Sequence, residues 1–592
     1  MKSPHFRYHM IAGAVITALL TACSSGSSDD DTPTPEPTPT PTPDPTPEPQ
    51  LPQLSEAVGA ALKGRCEDLA GFAYPRATIS VAETVAAGAV KVSGTDIGEH
   101  CRIRGELEQR VSPIDNETYA IGFEMRLPVD WNGRYFYQGN GGTDGSISNA
   151  YGTYGSGGAL SNALHKGFAV ISSDAGHNGS QNPLFGLDPE ARINYGYGAA
   201  QKLTPMAKAM IASAYGKGPD RSYFGGNSNG GRHAMVAAAR LAEEYDGILA
   251  SAPGFNLPLA AVAQLYSAQQ FRKTATDETD LSTGFTEAER RTVANAILRQ
   301  CDALDGASDG LVQDIEACRS AFDLARDVTT CAADRDGTCL TTEQKQAVGD
   351  MYRGPVNSKG EALYATQPYD PGLVARGWAN WKYTSSVGNA RDPVAVGIIF
   401  QVPPDASVAT DTNASREFAF NYNFDTDFPK LFATDATYTE DSLSFMTPPN
   451  ATQLETLRDR GGKMIVVHGA SDGVFSVDDT QQWYEGLMQA NNGDASKFAR
   501  FFPVPGMGHG SGGPSTDQFD MLDSLIDWVE RGKAPDSVLA QARGAGNPGG
   551  VNTELPADWA PDRTRPLCPY PLVARYNGSG SIERAENFSC KE

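Results

Sequence analysis

Gly226-Asn227-Ser228-Asn229-Gly230 has the Gly-x-Ser-x-Gly spacing of a nucleophile elbow, and it is where this chain most plainly offers chemistry. In such a turn a strand passes into a helix so sharply that the flanking positions need glycine, and the serine hydroxyl is lifted into a cleft. The flanks agree with that geometry. Arg221-Ser222-Tyr223-Phe224 reads as a short strand, and the run from His233 to Glu244, with five alanines and no proline, reads as a helix that can pack closely. Ser228 is therefore the candidate nucleophile for acyl transfer, a weak one until a base removes its proton.

A base and an acid are available in the required order. In an α/β-hydrolase the serine is followed along the chain by the acid and then the histidine, each on a loop after a late strand. Lys463 to Gly469 reads as a buried strand, with Asp472 at its carboxyl end; Phe501 to Gly510 reads as a second strand ending in the Gly-flanked His509. Phe519, Leu522, Leu525, Ile526 and Val529 then repeat at helical spacing. Of the 8 histidines, His5 and His9 fall in an N-terminal targeting segment, and His100, His165 and His177 precede the serine. His233 lies on the elbow helix and His468 ends the strand before the acid, so both read as hydrogen-bonded structural groups. Asp478 and Asp479 compete with Asp472, but they fall where the next helix begins, where a solvated N-terminal carboxylate is expected.

The tetrahedral anion formed by serine attack needs two N–H donors. Asn229, directly after the serine, supplies one; the glycine-rich turn Gln138-Gly139-Asn140-Gly141-Gly142-Thr143 after an early strand supplies the other. That turn is not a phosphate cradle, because no Gly-Lys-Ser/Thr or Gly-x-Gly-x-x-Gly pattern follows it.

Beyond these residues the chain resembles the tannase and feruloyl esterase family, and within it a bacterial branch that cleaves terephthalate monoesters. The resemblance spans nearly the whole chain after the leader. It is carried by Trp131-Asn132-Gly133-Arg134, by Gln138 to Gly142, by Tyr245-Asp246-Gly247-Ile248 with Ala252-Pro253-Gly254, and by Cys301 to Gly306. Gly506-Met507-Gly508-His509 with Ser511 to Pro514, and Arg565 to Pro571, complete it. It implies an α/β fold, an α/β-hydrolase core with a large inserted lid, a Ser228–His509–Asp472 triad, and oxyanion donors at Gly142 and Asn229. It implies esters of aromatic acids as substrates, with Phe475 against the acyl ring. In the terephthalate branch a lid arginine grips the free carboxylate; Val394 stands at that position here, with Arg391 nearby. Valine cannot act as a bidentate clamp, so weak activity on terephthalate monoesters is expected unless another arginine reaches the site. The family also joins a cysteine before the serine to one after the histidine, and here both are absent, replaced by Asn227 and Gly510.

Residues 1–22 read as a bacterial export signal, with an apolar run too short to span a membrane. Leu20-Thr21-Ala22-Cys23 resembles a lipoprotein box, so Cys23 is a candidate lipidation site and the only route to a membrane; plain secretion is the alternative. Residues 29–50 are Pro/Thr/Glu-rich, and 23–51 are expected to form an extended tether. The long interval between Ser228 and Asp472 places a lid at 254–452, splitting the core into 52–253 and 453–592. Setting Cys23 aside from the 9 cysteines leaves an even number. Nearest-neighbour pairing, which the resemblance supports, joins Cys66 to Cys101, Cys301 to Cys318, Cys331 to Cys339 and Cys568 to Cys590. The net charge of −24 argues against a nucleic-acid partner.

Within the lid, Asp302, Asp305 and Asp309 are spaced between turn glycines in a run whose hard oxygens suit calcium. The residues alone leave a solvated acidic turn as an equal alternative. The resemblance implies a structural calcium held by those three side chains and the carbonyls of Ala307 and Leu311, and no organic cofactor. Two rival readings stand beside an ester hydrolase acting on a small aromatic ester: a peptidase of the same core fold, disfavoured by the lack of internal repeats, and a surface-binding lipoprotein with little or no catalysis.

Overall fold

The computed structural model describes residues 51–592 apart from Ala159. The expected export signal, Cys23 and the tether as far as residue 50 lie outside the described residues.

A nine-stranded sheet carries the site. In chain order its strands are β1 (Ala77–Val85), β2 (His100–Val111), β3 (Thr118–Pro128), β4 (Arg134–Gly139), β5 (Ala169–Ser173), β6 (Arg221–Asn227), β7 (Gly247–Ser251), β8 (Lys463–Gly469) and β9 (Ala499–Val504). The spatial order is β9-β8-β7-β6-β4-β5-β3-β2-β1. From β9 to β5 every pairing is parallel; β5 to β1 pair antiparallel. All residues of β7 and β8 are buried, as expected of central parallel strands covered on both faces. Helices α1 (Ala199–Tyr215), α2 (Asn229–Arg240), α3 (Leu257–Arg272), α4 (Val477–Ala490) and α5 (Met521–Arg531) include those that cover the sheet or roof it. One core lies under α1, α2 and α4; another, on the opposite face, joins Val467, Phe502 and Val504 to Leu522, Leu525 and Val529 of α5.

The elbow helix differs from its expected span. It begins at Asn229, directly after the serine, and ends at Arg240, rather than running from 233 to 244. Gly230 and Gly231 therefore lie inside its first turn, where backbone packing outweighs their low helix propensity. A Cβ on Gly231 would stand 2.4 Å from the Ser251 carbonyl oxygen of β7.

Between β7 and β8 the chain leaves the sheet for about the length of a second domain and returns without adding a strand to it. This segment is helical and has its own apolar core, with Leu265, Val293, Ile297, Val348 and Phe400 all buried. That core runs on into Val474 and Phe475 beside the acid, and residues 51–592 form one compact unit. The four cystines join the pairs expected, with Cα separations of 5.1, 5.1, 5.0 and 5.5 Å in chain order, within ordinary disulfide reach. No helix among the described residues is long and apolar enough to cross a membrane.

Candidate active site

Ser228 follows β6 directly, at φ 65° and ψ −127°, a left-handed conformation that is costly for a residue with a side chain. The surrounding contacts impose it. Its N–H donates to the Ser251 carbonyl at 3.0 Å, while its own carbonyl accepts from Arg232 N at 3.0 Å. The two elbow glycines are steric requirements, because β4 runs alongside. A Cβ on Gly226 would lie 2.6 Å, and one on Gly230 2.3 Å, from the Gly139 carbonyl oxygen.

Asp472 lies three residues beyond β8, and each of its carboxylate oxygens has two partners. Oδ1 accepts from the N–H groups of Val474 (2.7 Å) and Phe475 (3.2 Å). Oδ2 meets His509 Nδ1 at 2.7 Å and His468 Nε2 at 3.1 Å. Burial works to raise its pKa, but the two imidazoles and their hydrogen bonds outweigh it and hold the carboxyl well below the usual range. His468 was read from sequence as a structural histidine. It is fully buried and hydrogen-bonded, also to Thr480 Oγ1 at 2.9 Å, yet its other nitrogen touches the acid. Its position at the end of β8, four residues before Asp472, was the available signal.

The rival carboxylates are also placed. Asp478 and Asp479 open α4 as expected, but they are buried rather than solvated, at 3 % and 6 % exposure. Asp478 pairs with Arg319 and Thr366, and Asp479 accepts from Asn256 Nδ2 at 2.7 Å. Lid side chains descend onto this end of the sheet and cover both.

The loop that carries His509 packs against Asn227, the residue before Ser228. The Asn227 side chain fills the space in front of Gly510, so that a Cβ added to Gly510 would sit 2.7 Å from Asn227 Oδ1. Asn227 Oδ1 accepts from Ser251 Oγ at 3.1 Å, and the Gly510 carbonyl accepts from Ser156 Oγ at 3.0 Å and Gly157 N at 3.1 Å. These contacts tie the histidine loop where the related family places a disulfide. Gly510 has φ 80°, a conformation that disfavours cysteine.

Ser228 opens into a cavity roofed by the lid. Its walls include Gly142, Asn229, Tyr195, Trp381, Phe400 and Phe475. The Phe475 and His509 rings lie edge to face with centroids 5.5 Å apart, so that Phe475 links the cavity to the histidine. Gly142 follows β4 and has φ 68°; Asn229 starts α2. Both expected oxyanion donors thus belong to the same cavity as Ser228. The Tyr195 hydroxyl donates to the Gly142 carbonyl at 3.2 Å, turning that peptide's oxygen away toward the protein.

Arg391 also lines the cavity, whereas the corresponding walls do not include Val394. Its guanidinium lies 5.2 Å from the Trp381 ring centroid and beside Gly142, where an added Cβ would come within 2.8 Å of Nη2. Sequence reasoning missed two groups next to it. Asp392 Oδ2 and Trp381 Nε1 are buried in this wall with no hydrogen-bond partner. Burial pushes Asp392 up to about 6, against the Ser386 side chain and the charges of Arg391 and Lys382. Asp392 follows Arg391 on a four-residue helix that has no distinctive sequence pattern, so nothing in the chain alone pointed to it.

The acidic lid loop closes on itself. Asp302 Oδ1 accepts from Asp309 N (2.9 Å) and Gly310 N (3.0 Å), and Asp305 Oδ1 accepts from Ala307 N at 2.9 Å. Asp309 is paired with Arg565, which arrives from the C-terminal segment. Asp305 Oδ2 is buried without a partner; burial, reinforced by Asp309 and Asp302, pushes that carboxyl up to about 7. Among the described residues no group of three or more acidic, histidine or cysteine side chains is gathered in a metal-holding arrangement.

Comparison with known proteins gives the family and the fold. The tannase and feruloyl esterase family model matches residues 101–591. A mono(2-hydroxyethyl) terephthalate hydrolase of Piscinibacter sakaiensis is 38% identical over 577 residues, covering 91% of this chain and 92% of its own. The crystal structure of feruloyl esterase B from Aspergillus oryzae superposes with a TM-score of 0.68 at 25% identity, over 89% of this chain and 99% of that one. A tannin acyl hydrolase from Aspergillus niger, at 19% identity and a TM-score of 0.61 over 88% of this chain and 92% of its own, shares the fold.

Proposed function

The chain belongs to the tannase and feruloyl esterase family, and from that premise we propose that it is an exported serine hydrolase that cleaves esters of aromatic carboxylic acids. The reading is supported by Ser228, strained at its elbow and lining one apolar cavity with Gly142 and Asn229, and by Phe475 of that cavity, which packs against His509, itself hydrogen-bonded to Asp472. His509 takes the Ser228 proton, and the serine oxygen bonds to the ester carbonyl carbon. The resulting oxyanion receives the N–H groups of Gly142 and Asn229. Collapse breaks the bond to the alcohol, which leaves with the proton from His509. Water then repeats the sequence on the acyl-serine, with His509 again the base.

Phe475, Phe400 and Trp381 suit an aromatic acyl group, and the polar groups among them set its substituents. Arg391 does reach the cavity, but its guanidinium stands beside Gly142, at the end where the ester carbonyl must lie. A carboxylate para to that carbonyl would point away from it. Asp392, whose Oδ2 has no hydrogen-bond partner, disfavours a second negative charge and can accept from a hydroxyl. Hydroxylated acids of the ferulate and gallate type are therefore favoured. Methyl ferulate or methyl gallate is expected to exceed mono(2-hydroxyethyl) terephthalate in kcat/KM by roughly 10-fold or more, an increment of about 1.4 kcal/mol. A preference for the terephthalate monoester would show that Arg391 swings to the far end of the ring.

We also propose a structural calcium ion at the lid loop, with Asp302, Asp305 and Asp309 and the carbonyls of Ala307 and Leu311 as donors. The supporting observation is the orphaned buried oxygen of Asp305 in the loop closed by the Cys301–Cys318 disulfide; the three carboxylates are not gathered about one point, so the ion would have to draw Asp302 and Asp309 toward it. Bound calcium would supply positive charge to the loop and hold its turns together. Prolonged chelation should lower Tm by a few degrees, with addition of calcium restoring it, since an ion held only by the folded state stabilises that state. An unchanged Tm, with metal content measured before and after, would leave Arg565 as the loop's counter-charge and remove the ion from the account.

A further inference from the structure

The two expected oxyanion donors come from separate elements, the loop after β4 and the first residue of α2, so something must fix the gap between them. Asp144, two residues beyond Gly142, spans it. Its side chain is 2 % exposed, and its Oδ2 accepts from Asn229 Nδ2 at 2.8 Å and meets His233 Nε2 at 2.9 Å. Asn229 is held in turn by Arg232, whose Nε donates to Asn229 Oδ1 at 2.6 Å. Arg232 is fully buried and directs its remaining donors to the carbonyls of Gly196, Met446 and Tyr195. On the other side of the loop, His177 Nε2 meets the Thr143 carbonyl at 2.9 Å, and Asn182 Nδ2 donates to the Asp144 carbonyl at 3.2 Å. The glycine-rich turn is thus anchored to a rigid surround; beyond the β4–β6 backbone pairing at Gly139, its side-chain tie to the start of α2 is the Asp144 carboxylate.

Resting on the esterase reading above, we propose that Asp144 is a positioning residue for the oxyanion hole: by receiving the Asn229 side-chain amide, it sets the separation between the Gly142 and Asn229 N–H groups. Asp144 touches neither substrate nor the reacting atoms, and its effect reaches the reaction through donors that act fully only on the tetrahedral anion. Its removal must therefore weaken transition-state binding while sparing ground-state binding. Burial pushes the Asp144 carboxyl up to about 7. Asparagine can still accept from Asn229, whereas leucine cannot.

The test uses Asp144→Leu and Asp144→Asn in the full-length enzyme with an arylboronic acid. Boron bonds to the Ser228 oxygen as the serine proton passes to His509, giving a tetrahedral mimic of the intermediate. For Asp144→Leu, kcat should fall about 30- to 100-fold, below the full cost of losing an oxyanion donor, with KM within threefold. The boronate Ki should rise by a similar factor, and inhibition by the trigonal product acid should not change. Asp144→Asn should recover most of the loss. Should the leucine variant fail to fold, Asn229→Ala, which keeps its N–H but loses the tie, should give the same split. Boronate affinity unchanged in a folded Asp144→Leu or Asn229→Ala variant would overturn the proposal, as would equal weakening of boronate and product acid. A wild-type enzyme that does not bind boronate at all would instead overturn the serine-esterase reading beneath it.

Discussion

Ser228→Ala is expected to fold with an unchanged Tm and to lose aromatic ester hydrolysis by roughly 10⁴- to 10⁶-fold in kcat. Several features combine to make the loss this large. The serine occupies a conformation, φ 65° and ψ −127°, that the protein maintains through the Ser251 and Arg232 backbone bonds and the close approach of β4. The other hydroxyls among the cavity walls belong to Thr143 and Tyr195; neither has the strained backbone of Ser228, and Tyr195 is engaged with the Gly142 carbonyl. Alanine keeps the backbone contacts, so stability should not suffer, and the residual rate should be the small contribution of the oxyanion donors and binding. The measurement is steady-state hydrolysis of a chromogenic aromatic ester together with labelling by a fluorophosphonate. Wild-type protein should be labelled at Ser228, and the alanine variant should not. Alanine variant that still turns over the ester would move the nucleophile elsewhere and leave this cavity a binding site.

The parts of this site that were legible in sequence are those whose chemistry constrains local sequence. An elbow needs glycine at 226 and 230 because a Cβ would collide with the Gly139 carbonyl, so the pentapeptide marked the serine. A loop acid and a loop histidine after buried β-rich runs marked Asp472 and His509; β8 lies where its run predicted, whereas β9 spans Ala499–Val504 and ends before the Gly-rich loop that carries His509, rather than running on to it. Groups that act through tertiary contact left no such mark. Asp392 and Trp381 become cavity walls only because the lid folds over the sheet, and Asp144 matters only because the turn after β4 passes the start of α2. The solvated role expected of Asp478 and Asp479 failed for the same reason. Their position at a helix start was correct, but helix position does not report that Arg319, Thr366 and Asn256 arrive from distant segments to bury them.

Asp472→Asn should lower kcat by about 10⁴-fold at neutral pH, with KM within about threefold. All four partners of the carboxylate ask it to accept. Val474 and Phe475 present N–H groups to Oδ1, while His509 and His468 converge on Oδ2. Asparagine offers one oxygen and one NH2 group. If the oxygen stays with the backbone, the NH2 faces His509 Nδ1 and forces the ring proton onto Nε2, the nitrogen that must take the Ser228 proton. If the side chain flips, two buried backbone donors confront an NH2 group and the loop loses stability, by roughly 1–3 kcal/mol for each donor left unpaired. Either orientation is costly, and Tm measured beside kcat tells which is adopted: unchanged Tm with lost kcat for the first, lowered Tm for the second. Asp479→Asn is the matching control, since Asp479 Oδ1 accepts from the Asn256 amide and has no contact with His509. It should leave kcat within a few-fold of wild type. His468→Phe separates the two imidazoles. If His468 only supports the carboxylate, its loss should cost far less than that of Asp472, because His509 keeps its own 2.7 Å bond. An Asp472→Asn enzyme within tenfold of wild type and equally stable would show that His509 is oriented by another group and that the acid has been misassigned.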